Sequence, residues 1–99
     1  MAKKFKITPY DTADYLKTEA DIEGYMHEVL KADDPALLAY ALGVVARVRG
    51  MSKVAKKSGL SRESLYKALS GEGNPKLETI FHVIRALGLK MSLSATSSR

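Results

Sequence analysis

Apolar residues recur at helical spacing along most of this chain. Ile22, Tyr25, Met26, Val29 and Leu30 share one face of a helix that ends near Ala32. Thr18-Glu19-Ala20-Asp21, at its start, resembles a capping box with Asp in the place usually held by Glu. Asp34 is the next N-cap, and Pro35 takes the first helical position, where its missing N–H costs nothing. The helix predicted from Pro35 to about Arg49 is apolar on most sides, through Leu37, Leu38, Ala41, Leu42, Val44, Val45 and Val48. It is therefore the natural centre of a core. Gly43 interrupts it at roughly 1 kcal/mol relative to alanine, which predicts a close helix contact there. Gly50 ends this helix. A short helix carrying Val54 and Ala55 stops at Gly59, and another, capped by Ser61, stops at Gly71. Past the turn Glu72-Gly73-Asn74-Pro75, a stripe of Leu77, Ile80, Phe81, Ile84 and Leu87 predicts one more helix, with Gly88 as its C-terminal cap. Leu89, Met91, Leu93 and Ala95 then alternate with Lys90, Ser92 and Ser94, which is the period of a strand.

The pattern predicts an all-α fold, a five- to six-helix bundle with a short C-terminal β-strand. Residues 1–10 read as a basic arm with one apolar pair, Phe5 and Ile7. Residues 11–95 read as one domain: acidic helices over 11–34, a core over 35–88 and the strand over 89–95. At 99 residues the chain suits one small domain. It has no cysteine, which excludes a disulfide framework and a thiolate zinc site and fits a reducing cytoplasm. No long apolar run marks a signal peptide or a membrane span, so a cytoplasmic location is expected.

Net charge is +5, but its distribution says more. Residues 11–34 hold eight acidic and two basic side chains. Residues 47–67 hold seven basic ones (Arg47, Arg49, Lys53, Lys56, Lys57, Arg62, Lys67) against Glu63 alone. A compact basic block is the footprint of a polyanion partner, although a solvated charged face would look the same by charge alone.

The apolar pattern inside that block decides between these. A helix-turn-helix needs a small residue in its first helix, where the second crosses closely, and Ala55 supplies it. The turn needs a residue free to take positive φ, and Gly59 supplies that. Leu65 and Leu69 face the first helix, and Val54 and Leu60 close the small core. Residues 51–70 thus meet each requirement and point to double-stranded DNA. With Leu65 and Leu69 inward, Arg62, Glu63, Tyr66 and Lys67 face outward. Arg62 can bind guanine O6 and N7 together, and Glu63 can accept from cytosine N4 or serve the helix dipole. Tyr66 can touch a thymine methyl or a phosphate, or pack against its neighbours. Ser52, Lys53, Ser61, Ser64, Lys67 and Ser70 are phosphate candidates, which set register but not sequence.

The remaining chemistry is sparse. His27 and His82 have no carboxylate or second histidine at ligand spacing, so neither a metal site nor a cofactor is expected. Carboxylate pairs such as Asp33-Asp34 belong to a helix cap. No glycine-rich phosphate loop and no nucleophile–base set appears, and an enzyme is not expected.

Longer runs are familiar. Arg49-Gly50-Met51-Ser52-Lys53-Val54-Ala55, Gly59-Leu60-Ser61-Arg62-Glu63-Ser64-Leu65-Tyr66-Lys67-Ala68-Leu69-Ser70, Gly73-Asn74-Pro75 and Arg85-Ala86-Leu87-Gly88-Leu89 resemble the addiction-module antidote family. Upstream, Tyr15-Leu16, the acidic helix, Asp34-Pro35-Ala36-Leu37 and Ala41-Leu42-Gly43 resemble it too, so the likeness spans roughly residues 10–95. The family consists of antitoxins of type II toxin–antitoxin systems with a phage-repressor-like helix-turn-helix. The resemblance implies a protein that neutralises a small basic, mRNA-cleaving toxin and represses its own operon. One position departs: Met51 stands where many phage-repressor-like domains carry Gln, leaving Ser52 or Lys53 to make that backbone contact.

On this reading the acidic segment would favour encounter with a basic toxin, with Tyr10, Asp14, Tyr15, Asp21, Glu23 and Glu28 as the candidate contacts. Deleting residues 1–34 should then abolish neutralisation. The alternative is a stand-alone transcriptional regulator whose N-terminal helices only build core. Two recognition helices on one operator require a two-fold axis, so a homodimer is expected. The unpaired strand, through Leu89, Met91 and Leu93, is its candidate contact.

Overall fold

The structure is a computed structural model that describes residues 14–95. Among these residues it is all-helical, with five complete helices and no strand. They are α1 (Glu19–Lys31), α2 (Pro35–Arg49), α3 (Met51–Ser58), α4 (Arg62–Ala68) and α5 (Leu77–Ala86). Asp14 and Tyr15 are also helical. The arm over residues 1–10, with Tyr10, lies outside the described residues.

Local chemistry sets the helix ends. The Thr18 hydroxyl accepts from the Asp21 N–H at 3.1 Å, and the Asp21 carboxylate accepts from the N–H groups of Thr18 and Lys17 at 3.1 and 3.0 Å. This is the capping box, and the two N–H donors, Lys17 and Thr18, hold the Asp21 carboxyl below its ordinary range. Asp34 likewise accepts from Ala36 and Leu37 N–H groups at the start of α2. Gly50 closes α2 and opens α3 at once: its N–H donates to the Ala46 carbonyl, and its own carbonyl accepts from Val54. No loop separates the two helices.

α2 is the central element, packed against α1, α3 and α5, and α3 also packs on α4 and α5. Leu42, Val44 and Val45 of α2 are fully buried with Val29, Val54, Leu65 and Val83. Burying each such side chain contributes about 1.5–3 kcal/mol. The acidic helix is part of this core, because Ile22, Met26 and Val29 of α1, and Leu16 before it, are buried in the same cluster. Arg49 grips Glu19 through two hydrogen bonds of 2.8 Å, tying the end of α2 to the start of α1. That guanidinium holds the Glu19 carboxyl below its ordinary range. Tyr25 is half-buried beside this core with an unpartnered hydroxyl, and burial, with Tyr40 nearby, pushes its pKa up to about 12.

Gly24 sits mid-helix on the exposed side of α1, and a Cβ there would meet nothing within 4 Å. Gly24→Ala is therefore expected to stabilise the fold by roughly 0.5–1 kcal/mol, through lower chain entropy alone. A raised urea midpoint with an unchanged slope would show it.

Two expectations need correction. The stripe on α5 turns its buried face along Ile80, Val83, Ile84 and Leu87, leaving Leu77 and Phe81 exposed (67% and 47%). At 100° per residue these two lie at the edge of the apolar arc, so a count of apolar spacings alone misplaces them. The second concerns residues 89–95, which form no strand here. Leu89 instead completes the end of α5. Its N–H donates to the Ile84 carbonyl, and the Gly88 N–H donates to Arg85. That pair of bonds is the Schellman arrangement. Met91 is half-buried and Leu93 is 96% exposed, with no second strand beside them among the described residues.

Candidate nucleic-acid interface

α3 and α4 are joined by three residues, Gly59, Leu60 and Ser61. Gly59 takes φ 79°, ψ 9°, the left-handed conformation that a side chain disfavours, and its N–H closes α3 on the Ala55 carbonyl. The buried Ser58 hydroxyl donates to Ala55 and accepts from the Leu60 N–H, which fixes the turn from inside. Ser61 then caps α4, accepting from the Ser64 N–H at 3.0 Å. α3 buries Met51, Val54, Ala55 and Ser58, and α4 buries Leu65, with Leu69 just beyond it. Met51 faces the core, so it offers nothing to a phosphate.

The opposite side of α4 is open. Arg62, Glu63, Ser64, Tyr66 and Lys67 are all exposed, as are Ser52, Lys53, Ser61 and Ser70. The structure gathers some of these and not others. The Arg62 guanidinium lies 5.9 Å from the Tyr66 ring centre and donates to its hydroxyl at 3.4 Å. Arg47, from α2, lies 5.8 Å from the same ring. Tyr66 is thus flanked by two cations, each within the range of ring–cation attraction. Arg47 was legible in the sequence only as part of the basic block; its place beside Tyr66 depends on how α2 and α4 cross.

Two predicted phosphate contacts already have local work. The Ser61 hydroxyl caps α4 and donates to the Ser64 hydroxyl. The Ser70 hydroxyl donates to the Lys67 carbonyl and accepts from the Glu72 N–H. Lys53 lies away from the Arg62 group, in a cleft shared with Glu19, Arg49, Lys57 and the end of α5.

The acidic candidates are dispersed. Asp14 and Tyr15 are exposed before α1. Asp21 is engaged in its capping box, and Glu28 pairs with Lys31 at 3.1 Å. Glu23 lines a groove with Met26, His27, Leu30 and Leu38. Among the described residues no cluster of acidic, histidine or cysteine side chains could hold a metal ion, and no helix is long and apolar enough to cross a membrane.

Comparison with known proteins decides the family. The family model described as "probable addiction module antidote protein" matches residues 6–95. The chain belongs to this antidote family. A relative from Haemophilus influenzae, itself called an uncharacterized protein, is 43% identical over 88 residues, covering 89% of this chain and 91% of its own. No solved structure matches the chain significantly. Family membership gives this antidote a toxin as counterpart in general terms.

Proposed function

We propose that this antidote is a DNA-binding antitoxin of a type II module, acting in the cytoplasm as a homodimer. It represses its own operon through a phage-repressor-like helix-turn-helix, α3 and α4, and neutralises a small basic, mRNA-cleaving toxin. The observation that carries the DNA part is the outward face of α4, where Arg62 and Tyr66 stand exposed beside Arg47 above a short, well-capped helix. Arg62, Glu63 and Tyr66 would read base edges, while Ser52, Lys53, Ser64, Lys67 and Arg47 would meet phosphates. Ser61 and Ser70 serve mainly to hold that helix. The homodimer presents two such helices across a two-fold axis, and the unpaired Met91 and Leu93 are available for a ladder between copies.

One observation favours the stand-alone regulator as a second reading. α1 supplies Ile22, Met26 and Val29 to the core, and its acids Glu19, Asp21 and Glu28 are engaged within the chain. Core-building alone would account for this helix. Deleting residues 1–34 would open the core as well as remove charge, so it cannot separate the two readings. Charge reversal at exposed sites can.

The deciding experiment is co-expression with the product of the adjacent gene, followed by affinity capture and a binding assay on the upstream DNA. Under the antitoxin reading the wild type captures a basic partner. Asp14→Lys combined with Glu23→Lys releases it and leaves DNA binding intact. DNA binding with no captured partner would support the regulator instead. Loss of both activities in the wild type would overturn both readings.

A further inference from the structure

α5 carries an apolar surface that the single chain does not use. Leu77 and Phe81 are exposed at 67% and 47%, one helical turn apart. Phe81 continues into a shallow groove that it lines with Ile84, Arg85, Leu89, Lys90 and Met91. The patch therefore runs from the outer side of α5 onto the segment after its cap. Two charges frame it. Glu78 lies in the first turn of α5 and Arg85 in the last. They are seven residues apart, which places them within about 20° of the same side and about 10 Å apart along the axis. Neither has an ion-pair partner among the described residues.

We infer that this face of α5 is the contact for a second copy of the chain, with the two α5 helices packed antiparallel. A two-fold axis near Phe81 and His82 brings Glu78 of one copy to the partner's Arg85, and Arg85 to the partner's Glu78. The surface is then self-complementary, as an isologous contact must be. Phe81 is covered close to the axis, and the opposed helix dipoles add to the fit. The charges argue against a basic occupant, because Arg85 and Lys90 border the groove and would repel it. Size argues for a shared contact. Ten helical residues present a strip about 15 Å long and about 10 Å wide, too little for the ~800 Å² per partner of a stable interface. Met91 and Leu93, next along the patch, supply more. This inference deepens the homodimer in the proposed function and rests on it for its biological purpose, but not for its test.

The test is sedimentation of the full chain across the micromolar range without DNA or toxin. The wild type is expected to be a dimer. Phe81→Asp should raise its dissociation constant at least tenfold while circular dichroism shows an intact fold, since Phe81 is half-exposed in the single chain. Glu78→Arg and Arg85→Glu should each weaken the dimer, because each sets like charges opposite one another twice. Combining them should restore association toward the wild-type value. If the charges only complement the helix dipole, the double exchange will be no tighter than either single one, and the inference falls. A monomeric wild type, or an undiminished dimer in Phe81→Asp, overturns it equally. DNA binding is read separately, so failure here leaves that reading to its own test.

Discussion

Gly43→Ala is expected to destabilise the fold by about 1–3 kcal/mol, as overpacked sites do, and to weaken DNA binding with it. A Cβ at Gly43 would sit 2.8 Å from the Leu69 carbonyl oxygen and 3.3 Å from the Leu69 Cβ. The first of these is backbone, so the strain cannot be relieved by turning a side chain. α4 must move away from α2, or α2 must bend. Helix propensity works the other way, since alanine in a helix interior is favoured over glycine by about 1 kcal/mol. The observed sign therefore reports which effect wins. Urea unfolding of Gly43→Ala beside Gly24→Ala makes the comparison direct, because Gly24 has the same propensity gain and no neighbour to strike. If both variants are stabilised alike, α2 and α4 are not held at this distance.

Arg62→Ala is expected to weaken binding to the upstream DNA by about 1–3 kcal/mol and to relax preference at one base pair. Arg47→Ala should act differently. As a phosphate contact it should weaken all sequences alike and lower the salt slope by about one. Titrations at several salt concentrations, on the operator and on an unrelated duplex, separate the two. Uniform weakening by Arg62→Ala would demote that side chain to a phosphate contact and leave the base readout to Glu63 and Tyr66.

The sequence made the helix starts legible because capping chemistry is local. Thr18 with Asp21, Asp34 with Pro35, and Ser61 are each recognised within four residues and behave as expected. The outward side of α4 was legible for a related reason: Leu65 and Leu69 fix its rotation. Gly43 was legible as a contact, though not its counterpart at Leu69. What escaped depended on distant parts of the chain or on a local claim upon a side chain. Arg47 reaches Tyr66 only because α2 and α4 cross. Leu89 satisfies the period of a strand, yet its N–H is taken by the end of α5. By sequence Asp21 suits both a cap and a toxin contact, but its carboxylate is occupied by the first role. Charge counted along a sequence does not distinguish a free carboxylate from an engaged one.

The division of labour within α4 has a consequence for how such proteins diverge. Leu65 is the only residue of this helix that is fully buried, and Ser61 secures its start from the preceding turn. Arg62, Glu63 and Lys67 are exposed and stand outside the core, whereas Tyr66 is 42% exposed and packs beside Arg47. Lineages can therefore exchange Arg62, Glu63 and Lys67 without eroding the scaffold, while a change at Tyr66 also alters its packing beside Arg47. Under the proposed DNA-binding reading, a duplicated module would be able to drift to a new operator and become insulated from its parent, with no compensating change in the core.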